Sequence, residues 1–218
     1  MKKRIGRWLL MLCMLMAVLT AGALAADEHS HCVCGGSTSV GDHTSHQNVT
    51  WTAWTDASNM PTQSGCYYLD TDVQLSADWN VSGNTSLCLN GHTLKMGSSV
   101  YIQVKQSAKL TLTDCKDSGT IYAVYGGVFK VDHASLTMYG GKISGDVFFN
   151  AIEGTNQAVI TMLGGEINGA GSRLSSCGIY AVASSVYFGG DAAIRNLKSA
   201  GIDTNVLTMT GGTIENCE

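Results

Sequence analysis

The chain has 218 residues, with 13 Lys+Arg against 17 Asp+Glu, 26 Gly, one Pro and eight Cys. The acidic balance argues against nucleic acid and anionic membrane surfaces as partners, and a single Pro argues against a disordered Pro-rich stalk.

The N-terminus reads as a secretory signal peptide over residues 1–25. Lys2, Lys3, Arg4 and Arg7 form a basic head, residues 8–18 are apolar and uncharged, and Ala23-Leu24-Ala25 offers a small-x-small cleavage pattern. A retained anchor is the alternative, since the uncharged stretch 8–26 is 19 residues long and a span needs about 17–25; the cleavage pattern favours removal. No other apolar run is long enough to span, so no membrane span is expected after cleavage. The mature chain then carries nine Lys+Arg against 17 Asp+Glu and seven Cys, in a secreted or cell-surface compartment that permits disulfides. An odd count leaves at least one Cys unpaired, metal-bound or joined to another chain.

Residues 26–65 are a polar leader without a period. His29, His31, Cys32, Cys34, His43 and His46 crowd into 18 residues. Thiolates and imidazoles hold Zn²⁺ tetrahedrally, so Cys32, Cys34, His43 and His46 are candidate zinc ligands, although Cys-x-Cys is an unusual spacing. A disulfide, unpaired thiols and a leader without metal are the alternatives. Trp51, Trp54, Tyr67, Tyr68 and Trp79 follow. The first four are candidate sugar-stacking rings for a glycan. The competing reading is that these large rings plug the open end of a repeat array.

The repeat starts near residue 66. Leu136-Thr-Met-Tyr-Gly-Gly-Lys-Ile143, Ile160-Thr-Met-Leu-Gly-Gly-Glu-Ile167, Val186-Tyr-Phe-Gly-Gly-Asp-Ala-Ala-Ile194 and Leu207-Thr-Met-Thr-Gly-Gly-Thr-Ile214 are four copies of one phrase, with weaker copies at Leu87 and Leu110. The starts are spaced by 21–26 residues. Apolar-polar-apolar alternation predicts a half-buried strand, Gly-Gly a corner in which one residue needs positive φ, and the Ile a return to the interior. A second β-rich run precedes each phrase, as in Val128-Phe-Lys-Val131. The fold class expected is all-β: a right-handed parallel β-helix of about six coils over residues 66–218, stacked at about 4.8 Å per coil. A β-propeller needs repeats of ~40–50 residues, and a leucine-rich repeat asks for an Asn ladder and helical spacing that are not apparent. Leu207 to Cys217 is a full-strength repeat with no capping segment after it, so a C-terminal truncation is expected. Cys88 and Cys115, one coil apart, are a candidate disulfide.

The Leu-x-Met-x-Gly-Gly-x-Ile coils, the Leu87-Cys-Leu-Asn-Gly-His-Thr93 phrase and the His31-Cys-Val-Cys-Gly-Gly36 preamble resemble bacterial cell-surface right-handed β-helix proteins of the pectate-lyase-like fold superfamily, often adhesin-like. The resemblance covers about residues 31–218. It implies an architecture that hosts lyases, hydrolases, adhesins and stalks alike.

A pectate-type lyase would need a carboxylate cluster for Ca²⁺ and a basic residue as proton acceptor. The mature chain has two Arg, Arg173 and Arg195, and the alignment stacks Arg195 on Glu215 as an ordinary cross-strand pair. Asp146, Glu166 and Asp191 fall near one side without equivalent positions, so no catalytic residue is assigned. The expectation is a non-catalytic protein that binds glycans or surface proteins, or acts as a spacer, with zinc at the leader as the one cofactor considered. The alternative is a polysaccharide lyase or glycoside hydrolase whose active coils lie beyond residue 218.

Overall fold

The computed structural model describes residues 29–35 and 47–218. The expected signal peptide, His43 and His46 lie outside the described residues.

Each coil folds as three short strands separated by corners. Asn84–Cys88, Thr93–Met96 and Ile102–Lys105 form one such coil, and Lys109–Thr113, Thr120–Ala123 and Phe129–Asp132 form the next. Every strand pairs in parallel with its counterpart one coil away, so the chain winds into a parallel β-solenoid of about six turns with three faces. The first face carries the Leu-Thr-Met strands, the second the strands centred on Ile, and the third the β-rich run upstream of each phrase. The first and third faces join into one sheet because Leu174–Phe188 and Ile202–Met209 run straight through the corner between them.

The parallel register turns sequence repetition into core. On the first face Leu110, Leu136, Ile160, Val186 and Leu207 are direct neighbours. Beside them run Leu112, Met138, Met162, Phe188 and Met209. On the second face Val73, Leu94, Ile121, Ile143, Ile167, Ile194 and Ile214 form an unbroken column. Ile121, Ile143, Ile167 and Ile194 are fully buried, and each such side chain contributes about 1.5–3 kcal/mol by leaving water. The last coil is the exception: Leu207, Met209 and Ile214, which continue these columns, are exposed, having neighbours on one side only.

Two sequence alignments shift. Leu87 pairs with Leu112, not with Leu110, so the first phrase is displaced by two residues. Cys88 therefore occupies the level of Thr113 and is buried, where the phrase alone placed it on the outside. The solenoid also begins earlier than residue 66, since Thr52–Trp54 already pairs in parallel with Gly65–Leu69.

The Gly-Gly corners behave as their pattern predicts. The second Gly has positive φ at Gly141, Gly165, Gly190 and Gly212. At Gly165 the coils also pack too closely for a side chain: a Cβ would lie 2.5 Å from Met138 Cε and 2.6 Å from the Gly141 carbonyl oxygen. An Asn ladder runs along the corner after the second face. The Asn196 amide donates to Asn168 Oδ1 and the Asn216 amide to Asn196 Oδ1, each at 3.2 Å. It escaped the sequence reading because its members follow the inward Ile by one residue in one coil and by two in the next.

Gly165→Ala and Gly171→Ala separate the two demands on these glycines. Both have left-handed φ, near +80°, but a Cβ at Gly171 meets nothing within 4 Å. Gly171→Ala is expected to cost about 1–2 kcal/mol, from backbone conformation alone, and Gly165→Ala distinctly more. Urea midpoints of the two variants measure the difference.

Candidate functional site

Two places gather polar chemistry: a groove over the Gly-Gly corners, and a cluster beneath an N-terminal strap.

The groove has a volume of about 550 Å³ and is lined by Tyr139, Lys142, Glu166, Asp191, Arg195 and the glycines of successive corners. Its floor is backbone because side chains are excluded there; a Cβ at Gly164 would lie 2.2 Å from the Tyr139 carbonyl oxygen. The charges along its edge alternate in sign. Lys142 Nζ stands 3.9 Å from Glu166 Oε2, Arg195 Nε stands 3.4 Å from Glu166 Oε1, and Arg195 Nη1 reaches Glu215. The Asn168 amide also donates to Glu166 Oε1 at 2.8 Å. Asp146, on the same side of the rod, accepts the Tyr122 hydroxyl at 2.5 Å, and that bond pushes the Tyr122 hydroxyl above its ordinary value. Beside the groove, Thr111, Thr137, Thr161, Tyr187 and Thr208 are in register on the outer side of the first face.

The strap is built from two described pieces of the leader, residues 29–35 and 47–51. Ser30–His31 pairs antiparallel with Val49–Thr50, and the Trp51 N–H donates to the His29 carbonyl at 3.0 Å. This ribbon lies against the corner after the first face. His29 stacks on Tyr68 with ring centroids 4.0 Å apart and planes 14° apart. His31 stacks on Trp51 at 4.4 Å, and the Trp51 indole N–H donates to the His31 carbonyl. Farther along, Gly35 abuts Thr113 and Asp114. Cys32 and Cys34 are buried near Tyr139, whose hydroxyl is pushed up by burial and by those two sulfurs.

The strap brings His29 and His31 onto Cys88 and Cys115. The donor atoms of all four lie within 4.8 Å of one another. His29 Nε2 is 3.0 Å from His31 Nε2, Cys115 Sγ is 4.0 Å from His29 Nε2, and the two sulfurs are 3.5 Å apart as thiols. The coils supply the thiols. Tyr68, Cys88 and Thr113 are stacked in register, and Cys115 follows Thr113 by two residues. Burial is the main cause that pushes the Cys88 thiol up, to about 12, with Cys115 beside it. Burial first, then the neighbouring His31 and Lys116, lowers His29 below its ordinary value against the pull of Asp70.

The sequence-stated candidates therefore separate. Cys32 and Cys34 are not members of the donor cluster. Cys88 and Cys115 meet, as the one-coil spacing expects. His29 and His31, neither of them among the expected ligands, join the two cysteines; the signal was their i, i+2 spacing, which puts both rings on one side of an extended segment. Trp51 and Trp54 do not present open ring faces. They are 4% and 1% exposed, with Trp54 packed on Trp79 at a centroid distance of 5.1 Å in the first coil's core. Tyr67 packs against the same core, and Tyr68 is covered by His29. The rings close the N-terminal end and support the strap.

No family model, curated protein or solved structure matches the chain. Among the described residues no helix is long and apolar enough to cross a membrane.

Cys177 tests the burial of the remaining thiols. Burial first, then the Asp203 carboxylate, pushes it up to about 11. Only the thiolate alkylates, so a raised value slows labelling at pH 8, by roughly a hundredfold for a two-unit rise. Iodoacetamide labelling followed by mass spectrometry is expected to leave Cys177 unmodified in the native chain and modify it in urea.

Proposed function

We propose that this chain is a non-catalytic secreted protein of a bacterial cell surface, adhesin-like and of the pectate-lyase-like superfamily, which binds glycan along its glycine-floored groove. The observation that carries the reading is the groove itself. It is open, polar and bordered by a ladder of opposite charges whose members neutralise one another. Such a trough offers amide, hydroxyl and charged groups to a hydroxyl-rich chain and lacks the apolar patch that marks the centre of a protein interface.

Glycoside hydrolysis needs two carboxylates about 5–10 Å apart in separate roles, one of them a proton donor. The oxygens of Glu166 are engaged by Lys142, Arg195 and Asn168, and Asp146 is engaged by Tyr122. The engagement of these two carboxylates in contacts of the rod itself supports a binding role for the groove over acid–base work. The neighbouring column of outward Thr and Tyr187 extends the polar surface along the coils.

Titration of the secreted chain against a panel of bacterial and host polysaccharides tests the proposal. Binding is expected with no turnover. Tyr139→Ala and Asp191→Ala are each expected to weaken it about tenfold, equivalent to about 1.4 kcal/mol, with unchanged circular dichroism. Turnover that disappears in Asp191→Asn would make the chain an enzyme. Failure to bind any glycan would leave the spacer reading.

A further inference from the structure

We propose that His29, His31, Cys88 and Cys115 form a Zn²⁺ site that clamps the N-terminal strap across two coils of the solenoid. Nothing in the glycan-binding reading requires this site, and it stands on its own geometry.

The donor set selects the metal. Two imidazole nitrogens and two thiolate sulfurs are a closed tetrahedral set for Zn²⁺, whereas Ca²⁺ and Mg²⁺ demand oxygen ligands. With Zn–N near 2.0–2.1 Å and Zn–S near 2.3 Å, the ligand atoms of a tetrahedron stand about 3.3–3.8 Å apart. Three of the six separations are 3.0 Å between the nitrogens, 3.5 Å between the sulfurs and 4.0 Å between Cys115 Sγ and His29 Nε2, and the others lie within 4.8 Å. Side-chain shifts of a few tenths of an ångström in the three pairs, and of up to about 1 Å in the widest, bring the set to that geometry.

The surroundings aim the ligands. His31 Nδ1 lies 2.6 Å from the Cys32 carbonyl oxygen. A carbonyl only accepts, so Nδ1 carries the proton and Nε2 turns its lone pair toward the cluster. That is the usual outer support of a metal-bound histidine. Tyr68 and Trp51 hold the two rings by stacking. With no metal bound, the Cys115 thiol donates to Asn90 Oδ1 at 3.6 Å, a bond that it gives up on becoming a thiolate ligand. Two like imidazole nitrogens facing each other beside the buried Cys88 sulfur and the half-buried Cys115 sulfur is an arrangement that a divalent cation turns from crowded to attractive.

The ligands come from three places in the chain. His29 and His31 belong to the strap, Cys88 ends a strand of one coil, and Cys115 lies in the turn two residues past the equivalent strand end, Thr113, of the next. A metal joining them crosslinks the leader to the rod and closes loops of 57 and 27 residues at once, the separations of His31 from Cys88 and of Cys88 from Cys115. The strap has only a two-residue antiparallel pairing of its own, so the crosslink reinforces the two ring stacks that hold it on the rod.

The test uses the secreted chain, purified, reduced, stripped of metal and reloaded with Zn²⁺ alone. Elemental analysis is expected to find one Zn²⁺ per chain. Cys88→Ser with Cys115→Ser, and separately His29→Gln with His31→Gln, are expected to lose it. Cys32→Ser with Cys34→Ser, and Cys177→Ser, are expected to keep it. Replacement by Co²⁺ should give thiolate charge-transfer absorption that vanishes in the Cys88/Cys115 variant. Chelation should open residues 29–35 and 47–54 to limited proteolysis while the β-sheet circular dichroism persists, which separates loss of the clamp from unfolding. Zn²⁺ uptake unchanged in the Cys88/Cys115 variant overturns the site, as does its loss in the Cys32/Cys34 variant alone. Recovery of a Cys88–Cys115 disulfide from the secreted chain, with no Zn²⁺ uptake after reduction, also overturns it.

Discussion

The parallel pairing of each coil with the next is the constraint on which everything else in this protein rests. A strand of three to five residues has too little apolar surface to fold by itself. Placed in register on an identical strand, its one or two inward side chains are covered above and below by their own counterparts. The column from Val73 to Ile214 is the clearest case, because seven coils contribute one β-branched or Leu side chain each and none has to find an unlike partner. The same rule explains the exposure of Leu207, Met209 and Ile214, which are the right residues with only one neighbour.

Register also organises the polar groups. Once coils are stacked, any residue type repeated at one level becomes a ladder. Asn168, Asn196 and Asn216 pass a chain of amide hydrogen bonds along one corner. Lys142, Glu166, Arg195 and Glu215 alternate in charge along the groove. The glycines between them perform two tasks, since they turn the chain with positive φ and leave a floor of bare backbone. A groove of this kind is a consequence of how the solenoid turns its corners, and the side chains on its rim give it chemistry.

The leader has a different logic. It has no repeat and cannot add a coil, so it is placed by contacts with the finished rod. Trp54 and Trp79 fill the first coil, and the Trp51–His31 and Tyr68–His29 stacks lay the ribbon over the corner where Cys88 and Cys115 stand. The aromatic residues that look like a sugar platform in the sequence are thus consumed in closing the end and holding histidines. Burial of a large ring at an otherwise open solenoid end outweighs leaving it to water.

Periodicity by itself determined the solenoid, its inward columns, the Gly-Gly corners and the pairing of Arg195 with Glu215, because a repeat records the same local physics several times. It misplaced the first phrase by two residues, since Leu87 and Leu110 both begin an apolar alternation and only the hydrogen-bonded register distinguishes Leu110 from Leu112. It could see the Cys88–Cys115 pair and the two histidines of the leader as separate features. That they meet was decided by the tertiary structure alone. The distance from residue 31 to residue 88 along the chain carries no pattern, and the strap's path is set by ring stacking and burial on a surface that exists only after the coils have formed.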